Sequence, residues 1–252
     1  MWKAITRAVS PRMNACELSY IDRVEIDIGK AQAQHDAYED CLREMGMEVI
    51  ALPPEPAMPD SVFVEDPAIV LDEIAVITRP GAASRRAEGE TLAAALTQFR
   101  RLERIAAPGT LEGGDVMRAG KTLYVGASAR SNGEGIAQLA EIVRPFDYTV
   151  RSVEVRGCLH LKSGCTYLGA GVVLANRNWI DAAALDGFTI VDVAGDEPWA
   201  ANVLTLGAAL MPDCFPGTAA IVKSLGWEVR VVDISELRKA EAGVTRSSLI
   251  FK

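Results

Sequence analysis

The stretch Pro59-Asp60-Ser61-Val62-Phe63-Val64-Glu65-Asp66-Pro67 ends an apolar run in two adjacent carboxylates and stops at a proline. Val62, Phe63 and Val64 predict a short strand. Pro67 biases Asp66 toward extended backbone and cannot donate to a strand ladder. Carboxylates at the mouth of a strand are costly unless they meet water, a cation or a metal. One such pair could be a solvated strand end. Further along, however, similar polar openings recur.

They fall near residues 61, 110, 160, 202 and 243, a near-period of about 40–50 residues that marks a linear or radial array. After the first come Ala68–Leu71 and Ala75–Thr78 around Asp72-Glu73, a helix over Arg85–Phe99 and a strand near Arg104–Ala106. Thr110-Leu-Glu112-Gly-Gly-Asp115 opens the second unit, with a hairpin turning near Gly120, a helix over Gly133–Val143 and a strand over Thr149–Val155. His160–Gly164 opens the third, with a hairpin over 165–175, a helix over Trp179–Ala184 and a strand over Thr189–Val193. Ala200–Asn202 opens the fourth, with a hairpin over 203–211, a helix over Pro216–Leu225 and a strand over Glu228–Val232. The fifth opens at Gly243 and supplies one strand, so its partners must come from residues 3–9, a helix over Lys30–Met47 and a strand over Met47–Leu52. Each unit reads strand, strand, helix, strand. Completion of the last by the first favours a closed α/β ring, which removes exposed edges and gathers the polar openings near one axis. Residues 13–27 lack a period, as in a flap.

The 252 residues form a single domain on this reading, and 49% hydrophobic content provides a sizeable core. A net charge of −8 argues against nucleic acid and anionic membranes, and leaves a small cationic ligand open. No apolar run is long enough to span a bilayer, and residues 1–9 read as a strand rather than a signal peptide. Five cysteines without paired spacing suit a reducing cytoplasm. Two distant histidines, His35 and His160, make a zinc site unexpected, so no metal or cofactor is expected.

A ring gathers Glu65, Asp66, Glu112, Asp115, His160 and Asn202. His160 with Glu112 makes a carboxylate–imidazole pair suited to acid–base chemistry. Glu65 and Asp66 suit a guanidinium, whose fork matches carboxylates. Arg85, Arg86 and Arg130 could bind a carboxylate.

These motifs resemble the pentein, or guanidino-group-modifying, superfamily, and most closely its dimethylarginine dimethylaminohydrolase family. The matching pieces are Asp60-Ser-Val-Phe-Val-Glu-Asp66, Ile77-Thr-Arg-Pro-Gly81 with Ser84-Arg85-Arg86, Glu112-Gly-Gly-Asp115, Tyr124-Val-Gly126 with Ser128-Ala-Arg130, Leu159-His-Leu-Lys-Ser163 and Ala200-Ala-Asn202. The resemblance implies a five-bladed ββαβ propeller that hydrolyses N-omega-methylated arginine to citrulline and an alkylamine through a cysteine thiolate. It implies that Glu65 and Asp66 bind the guanidinium and that Leu18, Asp60, Arg85 and Arg130 contact the amino-acid end. Phe63 would wall the pocket, His160 would be the acid–base group and Glu112 its orienting partner. A homodimer is compatible with it.

The cysteine is where the pattern departs. In Gly243-Val-Thr-Arg-Ser-Ser-Leu249, aligned without a gap, Arg246 stands where the nucleophile belongs, and Glu241-Ala242 replaces the usual Asp-Gly. Read as an extended strand, the segment turns Thr245 and Ser247 away from the face that Arg246 presents. Three functions follow as expectations: a dimethylargininase-type hydrolase, a silent pentein that binds a small amino-acid ligand or is plugged by Arg246 on Glu65, Asp66 or Glu112, and a diverged pentein using His160 and Glu112 without a thiolate.

Overall fold

A computed structural model describes residues 1–252. Its strands are β1 (Trp2–Arg7), β2 (Met47–Leu52), β3 (Ala68–Val70), β4 (Ile74–Ile77), β5 (Arg101–Arg104), β6 (Val116–Ala119), β7 (Thr122–Ala127), β8 (Thr149–Glu154), β9 (Cys165–Gly169), β10 (Val172–Ala175), β11 (Thr189–Asp192), β12 (Leu204–Leu206), β13 (Ala208–Pro212), β14 (Val229–Val232) and β15 (Leu249–Phe251). The α-helices are α1 (Ile28–Glu44), α2 (Glu88–Leu96), α3 (Gly133–Val143), α4 (Leu161–Gly164), α5 (Pro216–Ser224) and α6 (Ser235–Arg238).

The strands form five separate three-stranded sheets, ordered β3-β4-β5, β6-β7-β8, β9-β10-β11, β12-β13-β14 and β15-β1-β2. In each, the first pair is antiparallel and the second parallel. A parallel pair needs a crossover, and α1, α2, α3 and α5 supply four of the five. β15 pairs with β1 at Ala4↔Ile250, so the N-terminal strand completes the last blade. This is the closed five-bladed α/β propeller expected of a pentein. No helix is long and apolar enough to cross a membrane.

Two local expectations change. Residues 61–67 are successive turns, and the first strand begins only at Ala68. Phe63 N–H donates to the Asp60 carbonyl and Asp66 N–H to the Phe63 carbonyl, so the backbone bonds of this apolar run close locally instead of joining a ladder. The third crossover is a 3₁₀ turn at Ala182–Leu185. Ile180 is already paired with Val155 in a β-bridge, and the Asp181 carboxylate caps Ala183 N–H, which leaves too few residues for an α-helix. Residues 13–27 carry one 3₁₀ turn, Met13–Ala15, and are otherwise irregular.

Every polar opening immediately precedes the first strand of a blade. The first strands surround a central cavity of about 720 Å³, whose lining includes Ala68, Val116, Thr166, Val203 and Leu249. The openings crowd together at one end of this axis.

Candidate active site

Backbone turns at the openings bring Asp66, Glu112 and His160 to one point. One ligand-type atom of each lies within 4.8 Å of the others, and all three side chains are buried. His160 Nε2 is 3.5 Å from both Asp66 Oδ1 and Glu112 Oε2. The glycines of Glu112-Gly-Gly-Asp115 permit this approach. A Cβ on Gly114 would lie 2.7 Å from His160 Cδ2 and 2.8 Å from Asp66 Oδ1, and one on Gly113 would strike the Glu65 carbonyl.

The carboxylate that meets His160 Nδ1 is that of Asp115, whereas Glu112 lies on the Nε2 side. Asp115 Oδ2 is 3.3 Å from Nδ1 and also accepts from Ser128 Oγ at 2.7 Å and Ser131 Oγ at 2.6 Å, while Oδ1 accepts from Leu161 N–H at 2.9 Å. Burial opposes the imidazolium, but the carboxylates of Asp115, Asp66 and Glu112 outweigh it and hold His160 above its usual range. Glu112 sits on the other side of the ring and accepts from Gly81 N–H at 3.0 Å, with guanidinium nitrogens of Arg85 and Arg130 each 3.8 Å away.

Glu65 and Asp66, expected to grip one cation together, face different partners. Glu65 pairs with Lys162 and accepts from Thr245 Oγ1 at 2.9 Å, at the wall of the central cavity. Asp66 Oδ2 accepts from Arg85 Nη1 at 2.7 Å and from Arg246 Nη2 at 2.6 Å and Nε at 3.2 Å. Burial would raise the proton affinity of Asp66, yet the guanidiniums of Arg246 and Arg85 hold its carboxyl well below the usual range.

Arg246 points inward. Its Cζ lies 4.1 Å from the centroid of Phe63, and Nη1 donates to the carbonyls of Ala240 at 3.3 Å and Glu241 at 3.2 Å. Residues 244–247 are a turn rather than extended strand. For that reason Thr245 and Arg246 both reach carboxylates of the first blade, against the expectation that they face opposite ways. Asn202 braces the turn, donating to Thr245 Oγ1 and accepting from Thr245 N–H at 3.1 Å. The Ser247 hydroxyl is buried without a partner.

The residues assigned to the amino-acid end of a ligand are otherwise engaged. Arg85, 1% exposed, is locked between Asp66 and Glu88, whose Oε2 is 2.7 Å from Nη2. Arg86 donates to the Pro80 carbonyl at 3.2 Å. Asp60 accepts from Glu17 N–H at 3.1 Å, and Arg130 Nη2 donates to Ser19 Oγ at 2.9 Å, so both hold the flap. Leu18 of the flap packs against the core that contains Phe63.

The sequence reading left Glu88 and Lys162 without roles at the site. Glu88 follows Arg85 at a spacing that puts both on one helical face, a signal it could have used. Lys162 shares its opening with His160 but carried no distinguishing pattern.

A model of the family described as N,N dimethylarginine dimethylhydrolase, eukaryotic, matches residues 6–208. The chain is 39% identical to a dimethylarginine dimethylaminohydrolase of Pseudomonas aeruginosa, over 89% of this chain and 90% of that one. It belongs to the dimethylarginine dimethylaminohydrolase family. A second dimethylarginine dimethylaminohydrolase, from Streptomyces coelicolor, is also 39% identical, over 96% of this chain and 94% of that one. A solved structure of the P. aeruginosa protein, a cysteine-to-serine mutant complexed with citrulline, superposes with a TM-score of 0.94 at 36% identity over the whole of both chains. In this dimethylarginine dimethylaminohydrolase family member, Cys158 is buried and donates to the His160 carbonyl at 3.4 Å, with its thiol pushed up to about 12 by burial and then by Asp115. Burial also raises the thiols of Cys16 and Cys165.

Proposed function

We propose that the chain is a single dimethylargininase-like domain whose guanidinium subsite, at Asp66, is filled by its own Arg246, so that thiolate-dependent release of citrulline from methylated arginine does not proceed in the native protein. The observation that carries this reading is the seat of Arg246. A charge-assisted fork on Asp66 Oδ2 and an aromatic face 4.1 Å away are the two contacts by which a free guanidino ligand would be recognised. A buried arginine of this kind persists only when its charge is matched, and Asp66 supplies the match. The thiols of Cys16 and Cys158 are buried and protonated, which suits them poorly to nucleophilic attack.

A working hydrolase is the second reading, favoured by the 39% identity to two proteins named for that activity. The two separate on one assay, in which purified protein is incubated with asymmetric dimethylarginine and citrulline is measured. Under the plugged reading the native chain yields none above background. Arg246→Cys removes the plug and places a thiol where the family pattern has its nucleophile, and citrulline then accumulates at a rate at least about tenfold over background. Turnover by the native chain overturns the plugged reading.

A further inference from the structure

Glu241 holds both the flap and the plug. Its carboxylate accepts from three consecutive flap amides, those of Ser19 at 3.1 Å, Tyr20, and Ile21 at 3.1 Å. Three N–H groups converging on one anion are the arrangement of a backbone nest. Its main-chain carbonyl meanwhile accepts from Arg246 Nη1 at 3.2 Å. The two ends of one residue therefore contact the lid over the site and the side chain inside it.

The backbone there is unusual. Glu241 has φ 59°, one of three non-glycine residues in the left-handed region, which L side chains adopt rarely. The segment preceding it, α6 with its C-cap Lys239, is tied to the same flap, because Glu236 accepts from Asp27 N–H at 3.0 Å and Lys239 donates to the Glu25 carbonyl at 2.9 Å. Asp60 and Arg130 hold Glu17 and Ser19 through separate contacts. A glycine would take the left-handed conformation without strain, so the carboxylate, and not the backbone, accounts for a glutamate at this position.

We infer that Glu241 is a positioning residue that latches the flap closed and couples its opening to the displacement of Arg246. The latch stands on the flap contacts alone, and the coupling rests on the reading that Arg246 occupies the ligand's subsite. When a guanidino ligand takes Asp66, Arg246 leaves the carbonyls of Ala240 and Glu241. The turn that carries the carboxylate loses that anchor, and the amides of 19–21 are released. A ligand that lacks a guanidinium has no means of triggering this, so the latch also selects the ligand class.

Amide hydrogen exchange on the full chain tests the inference without any turnover. Glu241→Gly keeps the left-handed backbone and deletes the carboxylate. Exchange at Ser19, Tyr20 and Ile21 is expected to rise at least about tenfold, with β7 amides unchanged. Arg246→Ala leaves the carboxylate in place and is expected to raise exchange at the same three amides about threefold or more. Parent-like protection of 19–21 in Glu241→Gly overturns the latch, and parent-like protection in Arg246→Ala overturns the coupling. Citrulline production by the native chain would sink the plugged reading and leave the flap result of Glu241→Gly standing, so the two failures are distinguishable.

Discussion

Asp115 accepts from His160 Nδ1–H at 3.3 Å and is itself held by two serine hydroxyls and the Leu161 amide. Such a carboxylate fixes both the tautomer and the ring orientation of the imidazole. Nε2 is thereby directed between Asp66 and Glu112, 3.5 Å from each.

His160 is expected to remain protonated above the usual histidine value of 6.5, because three buried carboxylates surround it. The group's folded-state affinity for its proton is raised, so the stability it adds is fully present below the unfolded value. That contribution is lost as pH rises through the folded value. With only two histidines in the chain, NMR titration of the imidazole signals resolves it. Asp115→Asn should lower the His160 midpoint by about one unit or more, whereas a merely structural Asp115 would leave it unmoved.

Arg85 is an internal strut. Replacing it with methionine leaves Asp66 with Arg246 as its one guanidinium partner and Glu88 without its hydrogen-bond partner. Breaking a buried pair from one side costs about 3–5 kcal/mol. For a domain of this size that lowers the melting temperature by about 10 °C, measurable by calorimetry. A shift of under about 2 °C would show that water reaches these carboxylates.

Gly114→Ala places a methyl 2.7 Å from the His160 ring and 2.8 Å from Asp66. Overpacking of this kind costs about 1–3 kcal/mol. The displaced ring should also lose its raised proton affinity, so chemical denaturation and histidine titration are expected to move together.

Thiol reactivity should be confined to the outside of the molecule. Cys214 is exposed and Cys41 is half-buried, whereas Cys16, Cys158 and Cys165 are buried. Ellman's reagent on native protein near neutral pH is expected to give one fast thiol, Cys214, with the three buried thiols silent until denaturant is added. A fast-reacting Cys16 or Cys158 would reopen the case for a thiol at the site.

The propeller was legible because each of its units repeats a polar opening, a hairpin and a crossover, and the orphan strand at the C-terminus demanded a partner at the N-terminus. Residues 61–67 misled because their apolar character reflects burial: Val62 and Phe63 are fully enclosed though in turns. At the site, residue types fixed the neighbourhood but not the pairing. Glu65 and Asp66 are adjacent in sequence, yet a turn sends one to Lys162 and the other to two arginines. Glu112 and Asp115 are both three residues or fewer from the same glycines, and only coordinates distinguish which of them meets Nδ1. The direction of Thr245 depended on whether 244–247 is strand or turn, which periodicity over four residues does not decide.

The pairing of Ala4 with Ile250 has a consequence for biosynthesis. The partners are separated by about 250 residues, a strongly non-local pairing of the kind that forms slowly. During translation, β1 and β2 emerge well before β15 and cannot complete their sheet until it leaves the ribosome. The nascent chain must therefore carry an unfinished edge while the four intervening blades are made, and β15 closes the ring.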